Sequence, residues 1–510
     1  MYLRTSGNPF FATEVLASAE SGLPPTVRDA VLARAARLSP AAQEVLHAAA
    51  VVGSRIETWL LVRMGLGEAS HIDECLSLGM LVGQDATLAF RHELVRLAIL
   101  ETMSPARRVD LHLRALDALR SVPSGRQEPA RLAHHAEGAG DCSAILEHAP
   151  VAARQAAVAT AHREAATLYR LALGCADDLP PAERAELLEA YSSECNVIDE
   201  RSDAIRARRT AVSLWREAVQ PLKQAESLAR LVPMLIGIGQ HGEAERCSRE
   251  AVALLAPLPR GPEFALASRT QALVALARRD ADAAIRWGER AIELATHCGD
   301  HEVAGMTHSA VGSAWLILEY DRGREYLERF LADTRERGEA RHAANALAHL
   351  GKRSAETYHL EHAAHDLAQG LTFTDGRDLD MYQLFMRAWQ ALTLLHQGRW
   401  CESATVARAV LLRCGMSAVN RLPALVAFGR LYARAGLAEA HDALRDAREI
   451  AEPIGTSETF GLVSAACAEA AWLAAGSDAG RGAGRLRGCD TRAPSLGSGR
   501  ACLLALEGGR

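Results

Sequence analysis

Apolar and small residues return at helical spacing along most of the chain, and from about residue 130 the helices themselves repeat. A short polar or acidic turn leads into a helix carrying a small residue, with another small or apolar residue seven positions on. The pairs are Ala165/Ala172, Ala204/Ala211, Ala244/Ala251, Ala284/Ala291, Gly323/Phe330, Ala363/Gly370, Ser403/Val410 and Ala440/Ala447. Their first members lie 39, 40, 40, 39, 40, 40 and 37 residues apart. A period near 40 leaves room for a second helix per unit, and stretches such as ASRTQALVALARR and LFMRAWQALTLLHQG supply it. Small residues two turns apart let a neighbouring helix come close, so each unit reads as an αα-hairpin stacked on the next. The pattern predicts a helical solenoid over about 130–475.

Residues 24–104 follow a different pattern. LPPTVRDAVLARAARL is a Pro-initiated helix, and SPAAQEVLHAAAVVG is a second, with Ser39 as its N-cap and Gly53 as its stop. IETWLLVRMG and ASHIDECLSLG give a third and a fourth. MLVGQDATLAFRH then places two short apolar runs around Gly83-Gln84-Asp85, which predicts a β-hairpin, and HELVRLAILETM closes the segment as a helix. Helices followed by a hairpin predict a winged-helix-like module. Over 26–104 there are seven arginines against nine acidic residues, and the helix before the hairpin holds Asp73 and Glu74 with no Lys or Arg. A reader of duplex DNA presents a basic face to the phosphates, so a packing and regulatory role is the better reading here.

Composition agrees with an all-α protein: Ala and Leu dominate, and aromatics are 5% of 510 residues. The net charge of −6 gives no general pull toward nucleic acid. Eleven cysteines without CxxC pairs suit reduced thiols, and no run approaches a membrane span. Arg4 and Ala17-Ser18-Ala19 resemble the ends of a signal peptide, but Pro9 and Glu14 interrupt the apolar stretch between them. The expected location is the cytoplasm, with no membrane partner.

The repeats resemble tetratricopeptide repeats lengthened beyond 34 residues. A more specific resemblance covers residues 1 to about 475. RTSGNPFFATEVLAS, LPPTVRDAVLARAARLSPAAQEVLHAAAVVG and LAFRHELVRLAIL, followed by helical repeats, look like the large ATP-binding LuxR-type transcriptional regulators (LAL) of the STAND class of signal-transduction NTPases. The resemblance implies a P-loop ATPase before this stretch and a LuxR-type helix-turn-helix after it. Gly7-Asn8-Pro9 matches the family's Gly-x-Pro motif beside the nucleotide base, where a Pro-fixed turn offers a rigid edge. On those three residues alone an ordinary turn at a helix start is the simpler reading. His92 falls where relatives carry a histidine that senses the nucleotide phosphate; the other reading is that it caps the following helix.

The expected organisation is therefore a lid remnant over 1–22, a winged-helix-like domain over 24–104, TPR-like helical repeats over 106–475 with a period of about 40, and a disordered or aberrant Gly/Arg-rich tail over 476–510. No helix-turn-helix is found in that tail, which reads best as an out-of-frame continuation. A P-loop needs Gly-x4-Gly-Lys-Ser/Thr. Lys223 and Lys352 are the two lysines; Lys223 follows Leu222, while Lys352 has Arg353 after it and Ala346 where the first glycine belongs. No strand ends in a paired acid to hold a metal. The chain is expected to be no enzyme and to hold no cofactor alone, with ATP or ADP implied for the intact family. Expected partners are a missing ATPase domain or partner protein, and a small-molecule or peptide ligand on the repeats; DNA would be reached through a helix-turn-helix not present here. A stand-alone TPR-like adaptor is the alternative, and a STAND module with a cyclase or kinase output a weaker one.

Other clusters are discounted. His359, His362 and His365 beside Asp366 rotate round their helix and lack counterparts in other repeats. His134 and His135 are adjacent and should face apart. Trp215, Trp287, Trp315 and Trp389 follow the helices and read as packing.

Overall fold

A computed structural model describes residues 25–85, 87–123, 127–258, 261–413, 418–454 and 457–475. Contacts divide the chain into two compact units: the first runs to residue 155 and includes 167–178, and the second takes 156–166 and everything from 179 onward.

The first unit opens with α1 (Pro25–Ala35) and α2 (Pro40–Val52), then β1 (Ile56–Glu57), α3 (Thr58–Arg63), α4 (Ala69–Ser77), β2 (Leu81–Gln84), β3 (Thr87–Phe90) and α5 (Glu93–Thr102). The antiparallel sheet has order β1-β3-β2, with Ile56 opposite Leu88 and Leu81 opposite Phe90. Two helices, a short strand, two more helices and a hairpin thus follow in order, and β1 pairs with the second strand of the hairpin. One strand was not legible: the segment IETWLLVRMG, read as a helix from its first residue, gives Ile56 and Glu57 to the sheet, because Ile56 is fully buried against β3. Ser39 caps α2 by accepting from the Ala42 amide, as expected, and its hydroxyl donates to Glu74 of α4 at 2.7 Å. Glu74 is thus committed to holding two helices together.

The unit continues with α6 (Pro105–Arg120), α7 (Pro129–Ala139), α8 (Cys142–Val158) and the second half of α9 (His162–Leu173). Cys142 and Cys175 are disulfide-bonded, with Cα atoms 5.3 Å apart, where the sequence leads one to expect free thiols. A separation of 33 residues carries no local signature, but an antiparallel hairpin brings its open ends together.

The second unit is a chain of hairpins: α10 (Pro181–Val197), α11 (Arg201–Glu217), α12 (Pro221–Gly237), α13 (His241–Leu255), α14 (Pro262–Ala277), α15 (Ala281–His297), α16 (His301–Leu318), α17 (Tyr320–Glu336), α18 (Ala340–Glu356), α19 (Leu360–Thr374), α20 (Asp380–His396), α21 (Trp400–Leu411), α22 (Ala418–Arg434), α23 (Glu439–Ile454) and α24 (Ser457–Ala475). From α12 onward each even-numbered helix packs beside the next even-numbered one, which makes these the inner layer; the odd-numbered helices lie outside, wedged between them. Their small residues are the wedge points. Ala204, Ala211, Ala244, Ala251, Ala291, Ala363, Ser403 and Ala447 are all fully buried. A TPR-like αα-hairpin solenoid is therefore the fold of this unit.

Hairpin turns are built by backbone chemistry. The amide of Gln240 donates to the Leu235 carbonyl at 2.9 Å, and the same six-residue closure recurs at His359 to Ser354 and Arg399 to Leu394. The solenoid also curls back on its own beginning. Inner helix α10 touches α20, Val197 packs with Ala344 and Leu379, and the Asn420 amide donates to Asp199 at 3.1 Å.

Candidate functional site

Where the inner helices of the second unit face one another, charged side chains converge on a shared interior. Arg230 of α12 pairs with Glu226 at 3.2 Å and approaches Glu302 of α16 at 3.9 Å. Arg269 of α14 interacts electrostatically with both Arg230 and Glu302 and with Tyr382 of α20. Four inner helices thus contribute to one polar cluster inside a turn of the superhelix.

Arg269 is the anomalous member. It is 7% exposed, and its buried Nε has no hydrogen-bond partner among the described residues. Burial, with Arg230 adding its repulsion, pulls its pKa down to about 10, so the guanidinium still carries its charge at neutral pH. Two other arginines are as deeply placed and are treated differently. Arg208 of α11 donates to the Glu189 carbonyl and to Ser193 and pairs with the Glu189 carboxylate at 3.2 Å. Arg353 of α18 pairs with Glu356 at 2.5 Å. A buried cation without a partner is costly, and proteins ordinarily pair it. Chemically, a fork of guanidinium N–H donors facing an interior is a receptor for a carboxylate or phosphate group.

This cluster was not found from the sequence, although a signal existed. Ala265, Arg269, Ala272 and Leu276 share one buried stripe of α14, and Arg269 is the charged residue in that stripe.

Of the residues expected to meet nucleotide, Gly7 and Pro9 lie outside the described residues. His92 occupies the N-cap position of α5, yet its side chain makes no capping bond to that helix. Burial, with the Arg91 guanidinium beside it, lowers its pKa below the usual histidine value. The discounted set on α19 stays apart as a metal centre: His359 stacks on Tyr320 with centroids 3.7 Å apart, and Asp366 is held by Arg324 at 2.8 Å. Trp215 and Trp389 are buried packing residues, whereas Trp287 is 40% exposed. A shallow groove between α17 and α19 is lined by Arg335, His365 and Phe373, but Arg335 there already donates to Gln369 at 3.0 Å.

No protein-family model and none of the curated proteins matches the chain. Among solved structures, a signal-transduction ATPase with numerous domains carrying a tetratricopeptide-repeat sensor, from Pyrococcus horikoshii, aligns over 93% of this chain and 69% of its own, at 14% identity and a TM-score of 0.39. A Rap protein complexed with competence and sporulation factor aligns over 72% and 99%, at 11% identity and a TM-score of 0.45. The Rap conjugation gene regulator of plasmid pLS20, in complex with the Phr* peptide, aligns over 81% and 96%, at 12% identity and a TM-score of 0.39. The fold assignment rests on the helices of this chain itself.

Proposed function

We propose that the second unit is a ligand-sensing repeat module and that the group it senses carries a carboxylate or phosphate. The observation behind this reading is the buried Arg269, its Nε without a hydrogen-bond partner, among Arg230, Glu302 and Tyr382. An anion entering there gains a charge-assisted hydrogen bond and relieves the repulsion between two arginines. Because α12, α14, α16 and α20 all border the site, occupancy couples hairpins that are distant in sequence. That is the property a sensor needs.

We propose further that this module belongs to a STAND-type, LuxR-family ATP-dependent transcriptional regulator, the ATPase and the DNA-binding helix-turn-helix being supplied by other segments. The ordered motifs of the first hundred residues support this reading. The chain as described has no P-loop, so nucleotide would be held jointly with an ATPase domain.

Thermal melts of the full chain test the sensing half. Citrate, glutamate, inorganic phosphate, and short peptides with free or amidated C-termini would each be added to the native protein and to Arg269→Met. An anion at tenfold its Kd stabilises by about 1.4 kcal/mol, and Arg269→Met should abolish that shift while leaving the unliganded protein as stable or more so. No shift from any anion, together with a lowered midpoint for Arg269→Met, would make the guanidinium a structural group and remove the reading. For the nucleotide half, a supplied ATPase domain should lose ATP-against-ADP discrimination with His92→Ala. Equal affinities in both variants would leave the adaptor reading instead.

A further inference from the structure

A second site lies in the first unit, where α6 and α7 pack as an antiparallel pair. His112 of α6 faces His134 and His135 of α7, and candidate ligand atoms of the three rings all lie within 4.8 Å of one another. Ring centroids form a near-equilateral triangle, at 5.6, 5.2 and 5.2 Å. Nδ1 of His112 stands 3.1 Å from Nδ1 of His135. The expectation that the adjacent pair His134-His135 would face apart is thus corrected: their ring centroids lie 5.2 Å apart, and the ring of His112 completes the triangle from α6. Room for it comes from Gly138, where a Cβ would overlap the His112 ring.

We propose that His112, His134 and His135 form a binding site for a divalent late-transition-metal ion of the zinc class, with a fourth position open to water. Two imidazole nitrogens on one tetrahedral zinc stand about 3.3 Å apart, and the buried pair is already close to that spacing. His134 is exposed, so its ring can turn to complete the set without disturbing the core. In the metal-free protein one Nδ1 donates to the other. A change of tautomer at the donating ring turns both Nδ1 lone pairs toward the shared space, where a metal ion replaces the shared proton. The positive charges nearby are turned elsewhere: Arg131 holds Glu57 at 2.9 Å, and Arg108 donates to the Leu100 carbonyl. Imidazole donors without thiolate or carboxylate suit zinc, cobalt, nickel or copper and disfavour calcium and magnesium.

The test is titration of the full chain with Co²⁺, read by visible absorption, followed by displacement with Zn²⁺. The expected result is one equivalent of Co²⁺ giving the d–d bands of a nitrogen-rich, four-coordinate site, displaced by one equivalent of Zn²⁺. Loss of an outer-shell partner weakens metal binding by about 10–100-fold, so loss of the ligand His134 in His134→Ala should cost more than about 100-fold. This exposed substitution leaves the fold intact, as circular dichroism would verify, whereas variants of His112 or His135 risk disrupting packing. His365→Ala, outside the cluster, should bind as the native chain does. Absence of a stoichiometric band, thiolate-to-cobalt charge-transfer bands, or an affinity unmoved by His134→Ala would each overturn the assignment.

Discussion

Arg208 and Arg269 are separated by one and a half repeats and differ in nothing that composition records. Arg208 sits in a saturated shell of carbonyl, hydroxyl and carboxylate acceptors, and its partner Glu189 is itself mostly buried. Removing one member of a buried pair strands the other charge, so Arg208→Met should destabilise the second unit by about 3–5 kcal/mol in urea unfolding. A loss below about 1 kcal/mol would mean that Glu189 finds water or another cation, and would weaken the contrast on which the reading of Arg269 rests. Sequence could not separate the two, because partner satisfaction depends on which neighbouring helix delivers an acceptor. The same holds for the histidines. His134 and His135 are conspicuous as a doublet, but the residue that unites them lies 23 positions earlier than His135, on another helix.

At the scale of helices, the small-residue repeat was the most legible feature of the chain, and the reason is steric. A helix wedged between two others tolerates only a small side chain at its closest approach, so the constraint is written into residue type at fixed spacing. Gly323 is the extreme case: a Cβ there would overlap the backbone of Trp315 and Leu316 at the end of α16. Gly323→Ala should therefore destabilise the second unit by about 1–3 kcal/mol, since backbone cannot repack as a side chain does. An unchanged urea midpoint would show that α17 can slide outward, and would count against the tight-wedge account of the period. The short strand β1 was missed for the opposite reason. Two residues carry too little pattern to outweigh the helical run that follows, and pairing with β3, 30 to 32 residues later, decides their state.

For the whole molecule, a repeat near 40 residues announced stacked hairpins but not how far they curl. Curl follows from small rotations accumulated over many packed pairs, and no single residue encodes it. Its result appears only where residues remote in sequence meet, as Asp199 does Asn420, 221 positions away. The polar interior around Arg269 belongs to the same class of feature. It is assembled from helices α12, α14, α16 and α20, so its composition is fixed by superhelical geometry rather than by any one motif.

The contact of α10 with α20 bears on how such a chain can change over evolutionary time. An open solenoid lengthens or shortens by whole hairpins at little cost, because each repeat answers only to its neighbours. This one has a seam. Removing or duplicating a single hairpin between α11 and α19 would bring the wrong helix opposite α10, separate Asn420 from Asp199 and leave Val197 without its apolar partners. Repeat number inside the seam is consequently locked as far as α23, whose Ile454 packs against Gly239 between α12 and α13, while growth remains open beyond it: variation in length among descendants of this architecture should collect after α23.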